Sequence, residues 1–140
     1  MYRFEAPDRL VDFAEAHGMA VRAYRETGKH RVGLVVNLEP KYPATQSAED
    51  RAATARADAY MNRFYLDPLR LGSYPDELRD IFGAAWPDHP PEDMSLIRQP
   101  IDFLGINFYK RGVTRHDPAA WPVHATLVAQ PQHAMTTLGP

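Results

Sequence analysis

The chain contains no cysteine. Disulfide frameworks, Cys-ligated zinc, iron–sulfur clusters and cysteine nucleophiles are therefore excluded. It has no surplus of either charge: 16 Lys+Arg stand against 18 Asp+Glu, a formal net charge of −2. A nucleic-acid surface or an anionic-membrane patch needs clustered excess Lys/Arg, so neither partner is expected. No apolar run approaches the ~20 residues of a membrane span. The opening Met1 to Glu5 has no basic region leading into an apolar core, so no signal peptide is expected and the chain is placed in the cytoplasm. There is no internal repeat and no low-complexity tract.

What is present fits a soluble domain or part of one. The chain has 140 residues, 44% of them hydrophobic, within the ordinary range for a folded domain. Its 13 prolines are clustered, which predicts shaped loops between short elements.

The spacing predicts a first helix from about Pro7 to Glu26. Proline suits a first turn because its missing N–H would be unpaired there anyway. Leu10, Ala14, His17, Val21 and Tyr24 make one apolar stripe at helical spacing. Gly18 inside this helix predicts close packing against another backbone, and Gly28 is a stop signal. His17, on the stripe, is expected to be a packed and hydrogen-bonded core residue.

Arg31 to Asn37 reads as a strand whose apolar residues run continuously. That is the pattern of a strand buried on both faces, as in parallel sheets under helices. A loop with two prolines follows. Ser47, with Asp50 three residues on, begins a capping pattern. A helix is expected from about Ala48 to Leu66, with Ala53, Ala57, Tyr60 and Phe64 on one face. Asp67-Pro68 should end it, since the residue before proline is pushed out of the helical region. A shorter helix is expected from Pro75 to Phe82 with Gly83 as its cap, and one or two turns between Glu92 and Arg98. Pro100 to Tyr109 reads as a second buried strand. Residues 111–140 show no periodicity and are expected to be a long irregular loop.

Two strands joined by a helical crossover form a βαβ unit, parallel and right-handed. Asn37 and Asn107 should then emerge together at the carboxyl edge, with Tyr109 just beyond. In α/β folds that edge carries the ligand site. Two parallel strands alone are not a stable sheet, so both edges of the pair want neighbours.

The stretch Gln99 to Tyr109, containing Asp102-Phe-Leu-Gly-Ile-Asn-Phe-Tyr109, resembles a phrase of glycoside hydrolase family one, the β-glucosidase family. Ala16 to Arg25, Val32 to Pro43, Asp58 to Pro68 and Gly72 to Pro75 resemble further family segments in the right order. The resemblance covers about residues 16–120, and the first fifteen residues match weakly. It implies an α/β fold: a partial (β/α)8 TIM barrel running from helix four to strand six. It divides residues 1–140 into a weakly matching start (1–15), a βαβ core (16–110) and an irregular loop (111–140). The implied reaction is retaining hydrolysis of a β-glucoside or related small saccharide, without metal or organic cofactor, by two carboxyl groups ~5–5.5 Å apart.

The family's two catalytic glutamates lie in Asn-Glu-Pro and Thr-Glu-Asn-Gly phrases. Neither phrase occurs in this sequence, so no catalytic residue is assigned and the chain alone is expected to be inactive. Asn37-Leu-Glu-Pro40 has Leu38 inserted, and Glu39 is read as a solvated loop glutamate beside Lys41. By resemblance, Tyr109 is the tyrosine that donates to the nucleophilic carboxylate, Asn107 the asparagine beside the sugar, and Asn37 a lining residue on the aglycone side. Strand-end asparagines also commonly satisfy backbone groups, which is the plainer role for all three.

The histidines at 17, 30, 89, 116, 124 and 133 are scattered without ligand spacing, so no metal site is expected. Trp86 and Trp121 are read as loop anchors. A second class of function stays open: a non-catalytic assembly or sugar-binding module, self-associating through its open sheet edges.

Overall fold

The computed structural model describes residues 7–129; the side chains of residues 8–10, and with them Leu10 of the expected stripe, lie outside what is described. So does His133. Helix α1 spans Pro7–Thr27. Val11, Ala14 and Val21 are buried on one face. Gly18 lies against α5 (Pro91–Ile97), where a Cβ would overlap the Leu96 carbonyl. The glycine thus permits backbone-to-backbone contact between two helices.

Strand β1 is Gly33–Leu38 and β3 is Phe103–Phe108. They pair in parallel, Gly33 opposite Phe103 and Leu38 opposite Phe108. The helical crossover between them begins at Ser47, whose Oγ accepts the Asp50 N–H at 3.1 Å. Helix α2 (Ala48–Asp58) runs through a π-helical turn (Ala59–Arg63) into α3 (Phe64–Arg70).

The expected stop at Asp67-Pro68 does not occur. Pro68 is buried within α3. It cannot donate, but its carbonyl still accepts from Gly72 at 3.2 Å, and packing outweighs its local preference. Helix α4 (Asp76–Phe82) ends at Gly83, φ +53°, the left-handed region that glycine tolerates best.

The core is helical. Val11, Ala14, Ala59, Phe64, Tyr74, Leu78, Trp86 and Ile97 form one buried cluster. Trp86 stacks on Phe82 at 5.9 Å and meets Tyr74 edge-on at 5.3 Å, so it is a loop anchor as expected. Trp121 is exposed.

Two further expectations fail. The strands are not buried on both faces: β3 is exposed along nearly its whole length. Helix α2 packs on residues 41–43 and 112–116 rather than on this pair, and the helices cover only part of the ladder. Nor is the stretch after Lys110 irregular throughout. Strand β4 (Gly112–His116) pairs in parallel with β2 (Lys41–Pro43) and antiparallel with β5 (Ala125–Leu127). These strands are too short to show periodicity, and ladder partners rather than local pattern define them.

Candidate functional site

The carboxyl ends of β1 and β3 carry the residues singled out in the sequence. Asn37 and Asn107 are register partners, and Asn107 Nδ2 donates to Asn37 Oδ1 at 2.9 Å. Both are exposed. Side chains on a strand alternate between faces, so Val35 and Gly105 share their face. A Cβ on Gly105 would lie 2.9 Å from Val35 Cγ2. Tyr109, one residue past β3, is 69% exposed. The structure therefore brings Asn37 and Asn107 into contact and leaves Tyr109 on the same rim, open to solvent.

Glu39, two residues past Asn37, is not a solvated loop side chain. Its Oε1 pairs with Lys41 Nζ at 2.5 Å and its Oε2 with Lys110 Nζ at 3.7 Å. The Lys41 side chain is almost fully enclosed. Gly112 packs beside this carboxylate, where a Cβ would come within 2.5 Å of Oε1. The glutamate joins the start of β2 to the turn before β4.

Asn62, on the π-helical turn, holds the Glu39 backbone from both sides. Its Oδ1 accepts from the Glu39 N–H at 3.0 Å and its Nδ2 donates to the Glu39 carbonyl at 2.9 Å. Nδ2 also donates to Asp58 Oδ1 at 2.6 Å. A π turn shifts side chains around the helix axis and often marks a functional segment. Sequence reading missed Asn62 because it falls off the apolar stripe. The available signal was a poor helix former inside an alanine-rich helix.

Asp50 belongs to the Ser47 helix cap and does more. Its carboxylate accepts from Thr45 Oγ1 at 2.7 Å and from the His116 N–H at 2.8 Å. The His116 amide, then the Thr45 hydroxyl, hold its pKa below the ordinary value. This ties the start of α2 to β4.

At the opposite, amino end of the ladder, Asp102 accepts the Val32 N–H at 2.8 Å and Arg25 at 2.7 Å. The Val32 amide first, then Arg25, depress its pKa. The ladder is thus pinned at both ends while its middle remains open. His17 is only half-buried, and its Nε2 has no hydrogen-bond partner. Burial lowers its pKa. The expected hydrogen bond is not formed at that atom.

A separate shallow pocket of about 200 Å³ lies between the loops flanking α4, lined by Tyr74, Arg79, Trp86 and His89 among others. None of Asn37, Asn107 and Tyr109 lines it.

Comparison with known proteins places this geometry. The sequence profile of Glycosyl hydrolase family 1 matches residues 10–136. A 6-phospho-β-glucosidase of Bacillus subtilis is 38% identical over 124 residues, 79% of this chain and 26% of the relative. β-Glucosidase A of Acetivibrio thermocellus is 34% identical over 108 residues, 75% of this chain and 24% of the relative. The chain thus spans about a quarter of the length of the curated relatives it matches.

Among solved structures, a β-glucosidase from Exiguobacterium marinum superposes with a TM-score of 0.77 at 33% identity, over 86% of this chain and 28% of that one. The virulence factor SghA of Agrobacterium tumefaciens, solved with its substrate analogue salicin, superposes with a TM-score of 0.79 at 31% identity, over 86% and 27%. The parallel β1–β3 ladder with its helices is a partial (β/α)8 barrel, and the chain belongs to glycosyl hydrolase family 1.

Proposed function

We propose that this chain forms part of the wall of a retaining β-glycosidase barrel that hydrolyses β-glucosides or related small saccharides. The observation that supports the reading best is the Asn37–Asn107 pair at the carboxyl ends of two parallel strands. That edge is where barrel enzymes hold substrate. Two exposed amides there offer donors and acceptors to sugar hydroxyls. In this reading Tyr109 donates its phenol O–H to the carboxylate that attacks the anomeric carbon, fixing its position.

The reaction class needs two carboxyl groups flanking the glycosidic bond. Glu39 does not suit either role, because both of its oxygens face lysines rather than an open cleft. This chain alone is therefore expected to give no turnover. The test is a chimera in which residues 16–110 replace the matching stretch of the Exiguobacterium marinum enzyme. The chimera should hydrolyse an aryl β-glucoside, and Asn107→Ala should lower kcat/KM at least ~10-fold, the scale of losing one transition-state hydrogen bond. A folded chimera without hydrolysis, or one indifferent to Asn107→Ala, refutes the reading.

One observation favours a second reading, a self-associating module without catalysis: the apolar side chains left open on β3. Size-exclusion chromatography of the pure chain separates the two. A discrete assembly of copies supports the module.

A further inference from the structure

Tyr109 is followed by two cations, Lys110 and Arg111, both exposed. Strands β2 and β4 continue the parallel pairing past the carboxyl ends of β1 and β3. Gly112 donates its N–H to the Pro40 carbonyl at 2.9 Å, and Tyr42 stands opposite Val113. One face of this extension carries Gly112 and Thr114 and is buried. Side chains alternate along a strand, so Tyr42 points to the other face, where it is 52% exposed. Arg111 lies over that ring, its guanidinium carbon 6.0 Å from the centroid. Arg111 has no carboxylate partner among the described residues. Lys110 is held loosely, 3.7 Å from Glu39 Oε2, and that carboxylate already pairs with Lys41 through Oε1. Across residues 37–42 and 107–112 one carboxylate thus stands against three cations, in a chain whose formal net charge is −2.

We propose that this lip selects glycosides whose aglycone carries a carboxylate. Arg111 takes the carboxylate, Tyr42 holds the guanidinium in place, and Lys110 adds positive charge beside it. The proposal rests on the reading of Asn37 and Asn107 as the sugar rim and names the substrate class that rim takes.

Position and chemistry both point to this class. Tyr42 and Arg111 lie beyond the strand ends that carry the asparagine pair. A group bound there sits further out than a sugar held at Asn107, which is the direction of the leaving group. A guanidinium presents a planar fork of N–H donors that matches the two oxygens of a carboxylate. The ring beneath it attracts the cation through its negative face and fixes its plane. A neutral aglycone would use the exposed ring but not the charge. The surplus of cations therefore discriminates between aglycones rather than adding affinity for all of them.

The test is an NMR titration of the full chain with para-carboxyphenyl β-glucoside and with neutral phenyl β-glucoside. The carboxylated glucoside should give saturable shifts at the Arg111 Nε–H and the Tyr42 ring. It should bind at least ~3-fold tighter than the neutral one, the scale of an exposed charge pair. Salt at about 1 M should remove the preference, because screening then acts within about 3 Å. Arg111→Gln should remove it as well. Tyr42→Ala should weaken it and Tyr42→Phe should preserve it, a pattern that a role in stability alone does not produce. Arg79→Gln, an exposed cation on α4, should leave it unchanged. Equal affinity for the two glucosides, or a preference that survives Arg111→Gln in a variant with an otherwise native backbone spectrum, overturns the proposal. The side-chain amides of Asn37 and Asn107 report the sugar separately. Shifts at those amides with both glucosides alike, and no preference, sink the proposal and leave the sugar rim intact. Carboxylate-dependent shifts at Arg111 that benzoate reproduces, with none at the amides, leave the anion contact standing and count against the sugar rim.

Discussion

Asn107 donates a 2.9 Å hydrogen bond to Asn37 across a parallel register, from a position 70 residues further along the chain. Only a crossover connection brings two such strand ends together pointing the same way. The pair depends on anchors at both ends of the ladder. Asp102 binds Val32 at the amino end, and Asn62 holds the Glu39 backbone beyond the carboxyl end.

The core lies among the helices, so the two apolar sets should respond differently to truncation. Leu78 is fully buried, and Leu78→Ala should cost ~2–5 kcal/mol, as for other buried leucines. Ile106 is mostly exposed in the isolated chain, and Ile106→Ala should change stability by no more than ~0.5 kcal/mol. Urea unfolding of both variants measures the contrast.

Gly18 allows α1 to touch the Leu96 carbonyl of α5. Alanine normally favours a helix over glycine by ~1 kcal/mol. Here the methyl group meets backbone, which cannot move aside cheaply, so Gly18→Ala should instead destabilise by ~1–3 kcal/mol, the range of overpacked interiors. A lower thermal midpoint is the expected result.

Asn62 is buried and makes three hydrogen bonds, two of them to the Glu39 backbone. Asn62→Ala leaves those groups without their partner and should cost ~1–3 kcal/mol. Hydrogen exchange at the Glu39 amide should accelerate more than at the Val36 amide, since the loss begins at the loop.

Among the groups that shape the pH profile, Asp102 and Glu15 act in opposite directions. Asp102 has a depressed pKa, first from the Val32 amide and then from Arg25. Its contribution is complete above the unfolded value, near 3.8, and is lost as pH falls through the lower folded value. Glu15 is raised, first by burial and then by Asp93. Its contribution is present below 4.5 and lost as pH rises through the folded value. Asp102→Asn should therefore flatten the acid limb of stability against pH. Glu15→Gln should raise the urea midpoint at about pH 7 and leave it little changed at about pH 3.

Much of this architecture was legible in the sequence where local chemistry and tertiary packing agree. Gly18 and Gly83 mark a close contact and a left-handed stop, both backbone constraints that a glycine records directly. Ser47 caps a helix with its own side chain. The unbroken apolar run of β1 and the one ending at Asn107 predicted the parallel pair. The failures fall where non-local contacts decide. Pro68 stays helical because it is buried. β4 and β5 are three to five residues long and exist through ladder partners. The apolar pattern of β3 signals two-sided burial that this chain's own helices do not provide. At the site, the asparagine pair was legible as two strand ends and Lys41 as a neighbour of Glu39; the Asn62 clamp and the second lysine on Glu39, Lys110, were not, because each depends on a turn geometry that spacing does not encode.

The account depends most on β1 and β3 lying side by side in one direction, with Asn37 opposite Asn107. Solution NMR of the chain tests this through cross-strand nuclear Overhauser contacts. The structure predicts contacts linking Leu34 with Leu104 and Val36 with Ile106, advancing together along both strands. Contacts that run in opposite directions, or none between the two segments in a folded chain, would contradict it.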